Sequence, residues 1–288
     1  MEDDGRDQPI GKQCHDEINT MTLDSLVHLI RSRKSCLIVG LDTDEARLPG
    51  HLRKMHDGVL YFNQQIIDAT ADLCVGYKIN TAFYESWGIP GWECLEKTLR
   101  HIPEGMLRIA DAKRGDIGNS SRHYARAFFE TFGFDAVTVS PYMGADSIEP
   151  FLEYPGKWAI LLGLTSNPGS RDFQLKETSS GPLFEEVIRK AAGWGEPDQL
   201  MFVAGATHPV QVGKIRELAP GHFLLIPGIG AQGGDIAEIS RFGRNRNGGL
   251  LFNVSRNILY AGDGRDFAVK AREAAEGFFN QMGPALPE

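Results

Sequence analysis

Eight short apolar runs, each followed by a stretch with helical spacing, restrict what this chain can fold into more than any other feature. The runs are Cys36–Asp42, Val75–Asn80, 106–111, Ala136–Ser140, Trp158–Leu164, Met201–Gly205, Phe223–Pro227 and Leu250–Val254. They are continuous rather than alternating, as expected of strands buried on both faces. A helical pattern precedes them over Leu23–Lys34, with apolar residues at 23, 26, 27, 29 and 30 and Asn19 or Thr22 as cap. It returns over Tyr61–Leu73, over Phe83–His101 with an interruption at Pro90-Gly91, and from about Ser120 to Phe132. A short piece begins near Asp146, and Pro182–Ala192, Val210–Leu218, Ile236–Phe242 and Phe267–Phe279 complete the series.

This alternation predicts an α/β fold, a (β/α)8 TIM barrel with its site at the carboxyl ends of the strands. A doubly wound open sheet is the competing architecture. Against it, polar residues stand at the ends of strands one, two, three, five, seven and eight, whereas an open sheet gathers ligand groups at one switch point. The 288 residues suit one barrel, since such barrels run to about 250 residues as a unit. No internal repeat or low-complexity linker divides the chain. Residues 1–18 are expected to be a polar extension, 19–282 the barrel and 283–288 a tail.

Hydrophobic residues make up 42%, enough for a large core, yet no apolar run approaches the roughly 20 residues that span a membrane. The first residues, Met-Glu-Asp-Asp-Gly-Arg-Asp, lack the apolar segment of a secretion signal. Cys14, Cys36, Cys74 and Cys94 form no C-x-x-C pair, and Cys36 and Cys74 lie in strand-like runs that suit reduced core thiols. These features fit a cytoplasmic enzyme. A net charge of −8 argues against a nucleic-acid surface but leaves room for a local cationic site.

Residues 107–118 carry the densest chemistry, Leu-Arg-Ile-Ala-Asp-Ala-Lys-Arg-Gly-Asp-Ile-Gly. Residues two apart share a strand face, so Asp111 and Lys113 should point the same way. Gly115 and Gly118 then place Asp116 on a turn. Buried charge must be paired, so this cluster is either a structural ion network or a reaction centre. Asp42 ends strand one and Lys78 lies in strand two, next to strand three in a barrel. An alternating chain of Lys78, Asp111, Lys113 and Asp116 would keep each charge compensated.

Two further stretches fall at strand ends. Pro227-Gly-Ile-Gly-Ala-Gln-Gly-Gly-Asp235 follows strand seven and opens a helix, an arrangement that suits a phosphate. Arg256, in Asn253-Val-Ser-Arg256, adds a fork of donors after strand eight, and barrels commonly bind phosphate between those two loops. Leu164-Thr-Ser-Asn-Pro-Gly-Ser170 ends strand five with hydroxyl and amide groups that fit either a turn or the edge of a heterocycle.

Jointly these motifs resemble the second subgroup of the orotidine 5′-phosphate decarboxylases over about residues 19–280. The resemblance rests on Val39-Gly-Leu-Asp42, Tyr77-Lys-Ile-Asn80 with Ala82-Phe-Tyr-Glu85, and the central D-A-K-R-G-D-I-G. It continues in Leu164-Thr-Ser-Asn-Pro-Gly, P-G-I-G-A-Q-G-G-D and Ser255-Arg-Asn-Ile-Leu-Tyr-Ala261. It implies conversion of orotidine 5′-phosphate to uridine 5′-phosphate and carbon dioxide without cofactor or metal. By resemblance Asp42 holds a ribose hydroxyl, Lys78 bridges ribose and Asp111, Asp111 lies against the substrate carboxylate, and Lys113 donates the proton. Asp116 enters the neighbouring subunit's site in a homodimer, Ser166 contacts the pyrimidine, and Gln232 and Arg256 grip the phosphate. Ser120 and Gly230 belong to the same substrate-binding set. One departure is Ile79, where relatives often carry proline. The alternatives are a metal-dependent sugar-phosphate aldolase or decarboxylase, which shares D-x-K-x-x-D, and a non-catalytic phosphosugar-binding barrel.

Overall fold

The computed structural model describes residues 21–207, 209–230 and 234–288. The apolar runs form strands β1 (Leu37–Gly40), β2 (Gly76–Asn80), β3 (Leu107–Arg114) and β4 (Ala136–Val139). They continue with β5 (Trp158–Leu164), β6 (Leu200–Ala204), β7 (Leu224–Pro227) and β8 (Leu250–Val254). The strands are parallel, and β1 closes on β8 by pairing Leu37 with Phe252, Ile38 with Asn253 and Val39 with Val254. That last pairing makes a closed (β/α)8 barrel and rules out the open sheet. Leu37, Ile38 and Val39 are fully buried because one face lines the barrel and the other lies under helices.

Helix α1 (Leu23–Arg33) starts from Thr22, whose hydroxyl accepts from the Ser25 amide at 3.2 Å while the Ser25 hydroxyl accepts from the Thr22 amide at 2.6 Å. This reciprocal pair satisfies amides that a helix start leaves free. Asn19, the other candidate cap, lies outside the described residues. Helix α2 (Gly58–Thr70) stacks Phe62 on Phe267 of the final helix, ring centres 4.9 Å apart.

The helical segment before β3 breaks earlier than expected. It splits into α3 (Ala82–Glu85) and α4 (Ile89–His101), and the break falls at Ser86–Gly88 rather than at Pro90-Gly91. Pro90 sits in the first turn of α4, where its missing amide costs no helical hydrogen bond. Strand β3 also runs three residues beyond Asp111, taking in Lys113 and Arg114. Helix α5 (Gly118–Arg126) follows and ends in a single wide turn over Ala127–Thr131.

Helices α6 (Glu149–Leu152), α7 (Ser170–Phe173), α8 (Leu183–Ala191), α9 (Pro209–Leu218), α10 (Ile236–Gly243), α11 (Arg256–Leu259) and α12 (Phe267–Phe279) complete the layer. The four-residue helices α7 and α11, and a small hairpin pairing Glu177 with Pro182, are too short for periodicity to reveal. Near the last residue, Ala285 is buried and Arg244 pairs with Glu288 at 2.6 Å. Cys36 and Cys74 are buried free thiols, each pushed up to about 12 by burial. No described helix is long and apolar enough to cross a membrane.

Candidate active site

The barrel registers bring charges from three strands together. Asn80 of β2 pairs with Asp111 of β3, and Gly40 of β1 pairs with Lys78 of β2. Lys78 consequently projects between two carboxylates, with Nζ 2.8 Å from Asp111 Oδ2 and 3.4 Å from Asp42 Oδ1. Burial works against the Lys78 ammonium, but Asp42 and Asp111 outweigh it and raise it above an ordinary lysine.

Asp111 is the hub of the cluster. Lys113 Nζ stands 2.5 Å from its Oδ1, and the Thr138 hydroxyl donates to the same oxygen at 3.1 Å. Burial alone would raise the Asp111 carboxyl, yet the ammonium groups of Lys78 and Lys113 overcome it and hold it well below the usual carboxylate range. Lys113 reaches this position with φ 49°, a left-handed conformation unusual for a side-chain-bearing residue. Its side chain is 50% exposed, against 4% for Lys78, so it is the more open of the two cations.

Asp42 is held from the far side of the seam. The Ser255 hydroxyl donates to Asp42 Oδ2 at 2.8 Å, and the Tyr260 hydroxyl donates to the Asp42 carbonyl at 3.3 Å. Gly40 permits this approach, because a Cβ there would lie 2.6 Å from Ser255 Oγ.

Asp42, Lys78, Asp111, Ser166, Asn253, Ser255 and Arg256 line one cleft, together with Gly228 and Ile229. Of the strand-five hydroxyls, Ser166 faces this cleft, whereas Thr165 is engaged by Gln174, whose amide donates to it at 2.9 Å. Arg256 is exposed at the start of α11, and Gly230 turns the preceding loop with φ 77°. A Cβ at Gly230 would press on Asn257 and Phe278 at 3.0 Å. A short helix after strand eight, beside a glycine loop after strand seven, is a common barrel phosphate site. Gln232 lies outside the described residues.

The structure does not bring Asp116 or Ser120 to this cleft within one chain, and Lys113 meets it only through Asp111, which lines it. Asp116 accepts from the Ile117 amide at 2.8 Å and has no ion-pair partner among the described residues. Ser120 sits exposed on α5. The chain of alternating charges therefore stops at Lys113. Thr138, Ser255 and Tyr260 are the contacts that spacing alone misses: Thr138 reads as an ordinary β-branched strand residue, while Ser255 and Tyr260 stand in a recognised motif without an assigned role. Among the described residues no group of three His, Cys, Asp or Glu is placed to hold a metal ion.

A family model described as orotidine 5′-phosphate decarboxylase / HUMPS family matches residues 35–271. A Bacteroides fragilis protein named orotidine 5′-phosphate decarboxylase is 51% identical over 270 residues, covering 92% of this chain and 98% of its own length. One of the same name from Christiangramia forsetii is 49% identical over 92% of this chain and 99% of its own. Among solved structures, Leishmania donovani OMP decarboxylase superposes with a TM-score of 0.76 at 34% identity, over 90% of this chain and 99% of that one. With the barrel, the acid–lysine cluster at its mouth and a matched segment that contains both, the chain belongs to the orotidine 5′-phosphate decarboxylase / HUMPS family.

Proposed function

We propose that this protein is an orotidine 5′-phosphate decarboxylase, a carboxy-lyase that replaces the C6 carboxylate of orotidine 5′-phosphate with hydrogen to give uridine 5′-phosphate. The observation that carries this reading is the Lys78–Asp111–Lys113 cluster, whose Lys78 and Asp111 line a cleft that also reaches Ser166 and Arg256. In this assignment Arg256, Gly230 and Gln232 receive the phosphate, Asp42 and Lys78 the ribose, and Ser166 the pyrimidine edge.

Departure of carbon dioxide leaves an electron pair at C6 in the plane of the ring. A fixed ammonium in a site that excludes water stabilises that charge better than water does. Lys113 supplies the ammonium and then the proton. Asp42 and Asp111 already match the charges of Lys78 and Lys113, so a carboxylate entering beside Asp111 meets no spare cation there. Binding energy from the distant phosphate offsets that repulsion, which is relieved as carbon dioxide leaves.

The same reading makes the protein a homodimer in which Asp116 of one subunit flanks Lys113 of the other, with Ser120 on the same crossing segment. Supporting this, Ile117, Tyr142 and Met143 beside that segment are exposed, Tyr142 at 91%. Residues 19–282 are the catalytic barrel, 1–18 and 283–288 its flanking segments, and the enzyme works in the cytoplasm.

The test is loss of orotidine 5′-phosphate absorbance on addition of purified protein, run with and without a chelator. We expect turnover unaffected by chelation. No turnover beside tight uridine 5′-phosphate binding would leave a non-catalytic barrel, and turnover restored only by magnesium would favour the metal-dependent aldolase relatives.

A further inference from the structure

The part of β3 that carries Asp111 and Lys113 is out of register with β4. Ala110 pairs with Val137, but the next paired residues are Arg114 and Val139, so four steps along β3 match two along β4. Such a bulge strips backbone groups of their ladder partners and re-aims side chains. The Lys113 amide is one of these groups, and the Thr138 hydroxyl accepts its hydrogen bond at 2.9 Å. The same hydroxyl donates to Asp111 Oδ1 at 3.1 Å. Thr138 is 1% exposed, so water has little access to take over either bond.

A hydroxyl has one proton to give. With its lone pair engaged by the Lys113 amide, that proton is directed at Asp111. One side chain on a neighbouring strand thereby ties the backbone of the lysine to the carboxylate that its own ammonium contacts. A valine would fill the same space and satisfy the same strand preference, yet could make neither bond.

We propose that Thr138 is a positioning residue for the decarboxylation, its single hydroxyl fixing the bulged backbone of Lys113 and the orientation of Asp111 together. This rests on the function proposed above, and two kinds of readout separate the two ideas. Thr138→Val should lower kcat about 100-fold, the scale of loss when reacting groups are misplaced. KM should stay near its original value, because Ser166 and Arg256 are untouched. Thr138→Ser, which keeps the hydroxyl, should recover most of kcat.

The second readout needs no turnover. The groups facing Asp111 are Lys78 from β2, Lys113 from β3 and Thr138 from β4, with Asp42, just after β1, reaching it through Lys78. Removing the hydroxyl removes a donor to the ionised form, so the Asp111 carboxyl, followed by carbon-13 NMR, should titrate at higher pH in Thr138→Val. If the valine variant fails to fold, Thr138→Ser and Thr138→Cys give the same comparison, since a thiol is a weak donor. Unchanged kcat in Thr138→Val, equal kcat in the serine and cysteine variants, or an unmoved Asp111 titration would each overturn the proposal. An inactive wild type with a shifted titration would count against the proposed reaction and uphold the hydroxyl's hold on Asp111.

Discussion

Lys78 and Asp111 meet across adjacent strands, Nζ to Oδ2 at 2.8 Å, with the lysine side chain 4% exposed and the carboxylate 13% exposed. Neither could be buried alone. Removing one partner of a buried pair leaves an uncompensated charge, so Lys78→Ala should destabilise the fold by about 3–5 kcal/mol.

The pair also sets a pH dependence. The Asp111 carboxyl is depressed, so its contribution is full above about pH 4 and is lost as pH falls through its lowered value. The Lys78 ammonium is raised, so its contribution is full below about pH 10 and is lost as pH rises through its raised value. In Lys78→Ala the Asp111 carboxyl is less depressed, so less stability should be lost as pH falls below about 4. Urea unfolding between pH 3 and pH 9 measures this, and parallel stability curves for the two proteins would refute the pairing.

Lys113→Ala should lower kcat by about 10³-fold, the upper end of what loss of a preorganised charge-stabilising donor costs. Uridine 5′-phosphate should still bind, because the cleft lined by Ser166 and Arg256 is intact. Calorimetry with the product, beside the absorbance assay, separates the two effects. Substantial residual turnover would remove Lys113 from the proton-donor role.

Arg256→Ala should reduce kcat/KM about 10- to 100-fold, from the loss of a charge-assisted hydrogen bond worth about 1.5–3 kcal/mol. The loss should nearly vanish on orotidine, which lacks the phosphate. An equal loss on both substrates would place Arg256 elsewhere in the mechanism.

Mixing two inactive variants tests the shared site. If Asp116 completes the partner's site, a dimer of one Lys113→Ala and one Asp116→Ala chain has one doubly damaged site and one intact site. Random exchange of subunits should then restore about a quarter of wild-type activity. A mixture as inactive as its components would show that each chain uses its own Asp116.

The fold is legible in the chain because strands buried on both faces read as unbroken apolar runs, and Cys36–Asp42 and Leu250–Val254 do so plainly. The approach of Lys78 to Asp111 is legible for a related reason, since consecutive strands of a parallel barrel are neighbours. Periodicity is silent on what depends on local irregularity. Thr138 stands in Val-Thr-Val and reads as a β-branched filler, and only the slip of β3 against β4 turns its hydroxyl to use. The positive φ of Lys113 leaves no trace in composition. Helix α11 spans four residues, below the length at which a repeat can show, and the break before α4 falls two residues ahead of the proline that suggested it.

The bond from Ser255 to Asp42 joins residues 213 positions apart, near opposite ends of the chain. During synthesis the acids and lysines of β1 to β3 leave the ribosome long before Ser255 and Arg256. A half-made chain thus carries Asp42, Lys78, Asp111 and Lys113 without the Ser255 hydroxyl that holds Asp42 or the Arg256 side chain that helps line the cleft. The cleft is complete only once the chain has passed β8, so a chain cut short before Ser255 lacks one wall of it.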